Sequence, residues 1–340
     1  MSLTRLALLL CLSSLFAITD RPNQPPEPSS SGGSLLVANK AEHTLGIVDP
    51  ASGKQLAAVD EDGITGHEVA SSPDGRLAFV PIYGNSGVGR PGTDGSKLVV
   101  VDIAARRIAG TVDFGHGVRP HCAVVDPRSR LLYVTTEIDN SVSVIDLRNL
   151  KIVGSVPTGQ AESHMLAVTR NGERGYTANV GPGTVSVLDL KARKIITVLK
   201  VAPVVQRIAL SVDDRLVFTS DQTKPQLAVI DTATNKLKSW LALPEIGYGA
   251  AATPDGRWLL IALPRANKVA AIDLGAMKVA RTLDVPATPQ EVIVRPDGGV
   301  AYVSCDASAK VAEINISAWK VERLIDAGKG ADGLAWAPQK

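Results

Sequence analysis

The chain has 340 residues, 45% of them hydrophobic, enough to bury a large core in one domain or two. Its 36 Lys and Arg nearly balance 34 Asp and Glu, with no basic tract and no acidic tail, so neither nucleic acid nor an anionic membrane is an expected partner. Aromatic residues make up only 4%, which leaves few platforms on which bases or sugars would stack.

The N-terminal stretch MSLTRLALLLCLSSLFAITD carries one positive charge, Arg5, followed by an apolar run from Leu6 to Phe16. That run is too short to cross a bilayer and reads as a Sec-type signal peptide over residues 1–17. LLLC lacks the small residue that a lipoprotein site wants before Cys11, so Cys11 counts as part of the apolar run. Residues 18–33 are rich in Pro, Ser and Gly and predict a disordered linker. The expected location is therefore periplasmic or secreted, with no transmembrane segment in the mature chain. Beyond the leader only Cys122 and Cys305 remain, in different repeats, and free buried thiols are expected.

From residue 34 to 340 a repeat sets the architecture. A short apolar run ending in an acidic or amide residue recurs as LGIVD, LVVVD, VSVID, VSVLD, LAVID, VAAID and VAEIN, closing at Asp49, Asp102, Asp146, Asp189, Asp231, Asp273 and Asn315. The last three intervals are 42 residues, the two before them 43 and 44, and the first 53. Each unit reads as four short strands. A first strand such as HCAVVDP meets a turn such as Pro73-Asp74-Gly75, a second such as RLLYVT follows, then the run ending in Asp, then a fourth such as KIVGSV. The recurring Asp residues are expected at turns and strand ends, not in catalysis.

Four antiparallel strands at this period predict propeller blades. The C-terminal ADGLAWAPQK matches a first strand, whereas the N-terminal SLLVANKAEHTLGIVD supplies a second and third strand with no first. Together they complete a seventh blade, so the expected fold is an all-β, seven-bladed propeller closed by both ends of the chain. LLYVTTEIDNSVSVIDLRNLKIVGSVPTG resembles the YVTN repeat, and residues 34–338 are similar to exported YVTN (YncE-like) propellers. The resemblance implies the fold and leaves the activity open. Similar propellers include the copper domain of nitrous oxide reductase, the haem d1 propeller of nitrite reductase, and lactonases, but this chain has neither a cupredoxin nor a cytochrome portion.

In such a blade the first strand lines the channel. Counting back six residues from each hairpin turn gives His67, His121, His164, Gln206, Tyr248, Gln290 and Asp332, a ring of polar residues at one register. His43 and His116 fall in connections on the same face, so all five histidines map to four adjacent blades. Three converging imidazoles suit a transition metal, Cu or Zn, with His43 or His116 as a fourth ligand and one position open to water or substrate. Glu68, Glu162 and Asp332 are candidate supporting groups, and Arg119 and Arg207 could hold an anionic ligand. The Gly-rich insertion YGNSGVGRPGTDGS, Tyr83 to Ser96, is a lid candidate beside the site. Cys122 should point into the blade packing.

No P-loop, nucleophile elbow or CxxCH is present, so neither a nucleotide nor a covalently attached haem is expected. Three functions follow. The first is an exported propeller binding a metal or small ligand through the histidines, in a redox or cofactor pathway. The second is a lactonase-like hydrolase or lyase using a channel histidine as general base. The third is a scaffold docking a periplasmic protein on its top face.

Overall fold

Each run ending in Asp or Asn is the third strand of a four-stranded antiparallel sheet, and seven such sheets make up the chain. The computed structural model describes residues 32–339 except Ser86 and Pro127; the expected leader and nearly all of the linker lie outside the described residues. Blades one to six follow in chain order from the strand pair beginning at Ala70, and blade seven closes the ring. There the C-terminal strand Ala331–Pro338 pairs antiparallel with Gly33–Asn39, Leu35 facing Trp336 and Leu36 facing Ala335. The N-terminal strand thus begins at Gly33, one residue before its expected start. At this seam Gly75, with φ of +67°, is required, because a Cβ there would sit 1.7 Å from the Pro338 carbonyl oxygen.

The core lies between blades. Seven hydrophobic clusters occur, one at each blade–blade interface, from Phe79, Leu98, Leu132 and Val134 between blades one and two to Leu36, Ile47, Val80 and Val99 at the closing seam. Second and third strands are buried on both faces, as in Leu131–Thr136 and Ser141–Asp146. The outermost strands alternate, exposing Ile152, Ile196 and Leu237. The recurring Asp residues do structural work: Asp49 Oδ1 accepts from Ala51 N–H at 3.1 Å, Asp102 from Ala105 and Asp231 from Thr234, both at 2.8 Å. Cys122 and Cys305 are free and buried. Apart from single 3-10 turns at Pro264–Ala266 and Asp306–Ser308, no helix occurs among the described residues. None is long and apolar enough to cross a membrane.

A repeated irregularity positions the site. At the start of the inner strand, Pro120, Ser163, Val205 and Pro289 pair with the last residue of the second strand, Thr136, Asn179, Asp221 and Cys305, and the register then shifts. Blade seven repeats this with Ala331 opposite Asn39, and blade one keeps only the Gly66–Ile82 bridge. The residue after each of these is the counted ring residue. A bulge therefore precedes the ring position in blades two, three, four, six and seven, where it turns the start of the inner strand toward the channel mouth.

Candidate functional site

The three ring histidines converge, as their shared register predicts. The His121 and His164 rings stack with centroids 3.5 Å apart, and His67 meets His121 edge-on at 5.5 Å. Tyr83 stacks on His67 at 4.8 Å and presents an edge to His121 at 5.3 Å. His121 and His164 are each only 2% exposed, while His67 stays half-buried. Burial pushes the His67 pKa down to about 4 and that of His121 well below the ordinary imidazole value, so both rings are neutral at pH 7. His121 Nδ1 is buried without a hydrogen-bond partner.

His164 is held by a carboxylate. Its Nδ1 lies 2.5 Å from Glu137 Oε1, and the other Glu137 oxygen accepts from the Tyr83 hydroxyl at 2.8 Å. On its far side His164 Nε2 lies 3.4 Å from the Gln206 amide nitrogen, which also donates to the Tyr248 hydroxyl at 2.9 Å. Burial, and then the Glu137 charge, raise the Tyr83 pKa far above its usual value, so the phenol keeps its proton and donates it.

The opposite side of the channel is ionic. Arg207, 3% exposed, donates through Nη1 to Glu68 at 2.5 Å and to Glu291 at 2.8 Å, and lies 3.4 Å from Asp332. Its guanidinium also sits 4.4 Å over the Tyr248 ring. Asp332 pairs with Lys40, which reaches Asp306 as well, both at 3.1 Å. Burial raises Glu68 to about 8 and Glu291 to about 7 despite Arg207, whereas Lys40 and Arg207 hold Asp332 low against the cost of its burial. Simple alternation would have sent the residue after each ring position into the blade packing. The bulge overrides it for Arg207 and Glu291, and Glu68 in blade one also reaches Arg207, though Cys122 does join the blade packing as expected.

Other expected site residues are placed elsewhere. His43 is exposed in a turn with φ of +56°, and His116, 60% exposed, pairs with Asp139 at 2.9 Å; neither touches the ring histidines, so neither is their fourth partner. Both sit in loops that no inner strand aims at the channel. Glu162 accepts from Gly181 N–H at 2.7 Å instead of supporting His164. Gln290 contributes its backbone carbonyl, accepting from Gly249 N–H at 3.0 Å. Arg119 binds Asp94 at 2.5 Å and the Arg90 carbonyl at 2.6 Å, anchoring the insertion across blade two. The tip of that insertion reaches blade three, where a Cβ on Gly89 would lie 2.5 Å from Glu162 Oε1.

Tyr83, Glu137, Glu291 and Lys40 were not among the expected site residues. A signal for three of them exists. Lys40 and Glu137 directly follow their second strands and Tyr83 lies at the end of its own, and each donates its backbone N–H to the residue two before the ring position, Gly330, Arg119 and Thr65 respectively. Val180, Gln222 and Asp306 repeat that bond. Counting one register further along a second strand would have exposed this second ring.

No curated protein matches the chain. Among solved structures, hydrazine synthase from Kuenenia stuttgartiensis is similar, with a TM-score of 0.73 and 18% identity over 89% of this chain and 99% of that one. That likeness shows the propeller fold. The family model described as the cytochrome D1 heme domain matches residues 91–321. This match corrects the cofactor expectation, a copper or zinc ion with no covalent haem motif, by pointing to a haem-related group. A missing CxxCH excludes covalent attachment alone, since haem iron is also held by a single axial imidazole. The geometry agrees that a bare ion is unsuited: among the described residues no group of three or more His, Cys, Asp or Glu is arranged to hold one. With residues 91–321 matched, more than half of its length, the chain belongs to the cytochrome D1 heme domain family.

Proposed function

We propose that this propeller binds a haem-type tetrapyrrole at the histidine side of its channel mouth and serves a redox or cofactor pathway outside the cytoplasm. The observation that carries this is His164: its Nδ1 is tied to Glu137, leaving Nε2 directed at the channel, the arrangement an axial imidazole requires. The orphaned Nδ1 of His121 and the neutral state of His67 and His121 add uncharged donors beside it. The 3.5 Å stack of His121 on His164 leaves no slot between those rings, so the group would be held by His164 with His67 and Tyr83 flanking it. A bound haem supplies one-electron chemistry; the protein supplies the ligand, its orientation and a largely dehydrated surround. The leader-like N-terminus and the YVTN-like repeat support an exported setting.

Titrating tag-free protein with haemin tests this. A shifted, saturable Soret band in the wild type that is lost in His164→Ala is the expected result. Identical spectra for the wild type and the His67/His121/His164 triple alanine variant would defeat the reading. The Glu137–His164 pair also favours a second reading, a general base acting on a small ester or lactone. That reading predicts hydrolysis without haem, lost in His164→Ala.

A further inference from the structure

We infer that Tyr83 and Glu137 are positioning residues that hold His164 as its Nδ1–H tautomer, and that Gln206 caps the free Nε2 until a ligand displaces it. This rests on the mouth being a ligand site, but its first test does not. The four side chains come from four successive blades, one from each, and no sequence motif joins them.

The assignment follows from counting protons. Carboxyl oxygens of Glu137 face two groups, the Tyr83 hydroxyl and a His164 ring nitrogen, and each is placed to donate to one of them. Tyr83 gives its hydroxyl proton to Oε2 at 2.8 Å, and the ring nitrogen 2.5 Å from Oε1 must then be N–H. A neutral His164 protonated at Nδ1 has a lone pair at Nε2. The donor beside that lone pair is the Gln206 amide, one of whose hydrogens goes to the Tyr248 hydroxyl and the other to Nε2. At 3.4 Å the second bond is near the limit of a hydrogen bond, so breaking it costs little. Gln206 is half-buried and unbranched, free to swing aside. The ring plane of His164 is held independently by the stack on His121, and its backbone by Thr135, whose hydroxyl donates to the His164 main-chain carbonyl at 2.8 Å. Among the described residues Gln206 is the only hydrogen-bonding partner of Nε2.

Two-bond ¹H–¹⁵N correlation spectra of histidine-labelled, ligand-free full chain read the tautomer directly. At pH 7.5 His164 is expected with a protonated Nδ1 and a bare Nε2. In Glu137→Gln, Tyr83 donates to the amide oxygen and turns the NH₂ toward Nδ1, which drives the ring proton to Nε2. Adding Tyr83→Phe frees the amide to rotate and restores the original tautomer. An Nε2–H tautomer or an imidazolium in the wild type overturns the proposal, and that measurement needs no variant to fold. With haemin as probe, Glu137→Gln should weaken binding by about tenfold and the double variant should recover part of it. Unchanged haemin affinity with a flipped tautomer also overturns the positioning role. A wild type that shows the expected tautomer and never binds haemin defeats the tetrapyrrole reading alone.

Discussion

On the side of blades one to three the mouth is made of His67, His121, His164 and Tyr83, packed ring against ring, with Glu137 as the one carboxylate bonded to His164. Across the channel, Arg207, Glu291, Asp332 and Lys40 are bound to one another, with Glu68 reaching over from blade one. The backbone of the two sides is alike: the same bulge, and the same backbone bond behind it in six blades. One side therefore leaves His121 Nδ1 without a partner and His164 Nε2 with only the 3.4 Å contact from Gln206. The other pairs its charges with one another. A repeat fold allows this because the bulge sets only where a side chain points, leaving its chemistry free.

Breaking the ionic side should cost most. Deleting Ala331–Lys340 removes the inner strand of blade seven together with Asp332, which leaves Lys40 and Arg207 short of a partner and opens a sheet edge. Loss of cooperative thermal unfolding is expected, and a truncated chain that melts like the intact one would show that the ring closes without this strand. Next comes Arg207→Met, which strands buried Glu68 and Glu291 without a counter-charge. The expected loss is about 3–5 kcal/mol by urea denaturation. On the histidine side, His67→Ala should cost only about 1 kcal/mol, since the ring is half-buried and its stack on Tyr83 is its main packing contact. A larger loss than for Arg207→Met would invert the comparison.

Acid and base should also separate the two sides. His67 and His121 have folded pKa values depressed below 6.5, so their contribution is complete above that pH and fades as pH falls toward about 4, where the unfolded chain takes protons first. Glu68 and Glu291 are raised, so theirs is complete below about 4.5 and fades as pH climbs through 7 and 8. His67→Gln should flatten the acid limb of a melting-temperature profile and Glu68→Gln the alkaline limb. Identical profiles for both variants and the wild type would remove the distinction.

The smallest stability effect is expected at the strap over the histidines. Asp94 is partly exposed, so Asp94→Ala should cost well under about 1 kcal/mol. Yet it frees the Arg119 anchor and should speed modification of His121 and His164 by diethyl pyrocarbonate several-fold. An unchanged rate would mean that the insertion does not control access.

The period of the Asp-terminated runs, the alternation within them and the matching fragments at the two ends determined the propeller, its seven blades and its seam, because strand pairing and burial are local consequences of pattern. The same counting brought His67, His121 and His164 together, since one register position recurs at one place in every blade. Only the tertiary structure could decide what those residues meet. Glu137 reaches His164 from the neighbouring blade, and Glu68 reaches Arg207 across the channel over a separation of 139 residues; neither partner is marked by spacing. His43 and His116 share the face and miss the cluster, because a loop position fixes a height on the propeller and not a direction. The bulge that turns consecutive residues toward the channel leaves no trace in an alternating pattern, which assumes one residue per step. Function at this mouth depends on which side chains approach within hydrogen-bonding distance, and that is a property of blades packed in a ring.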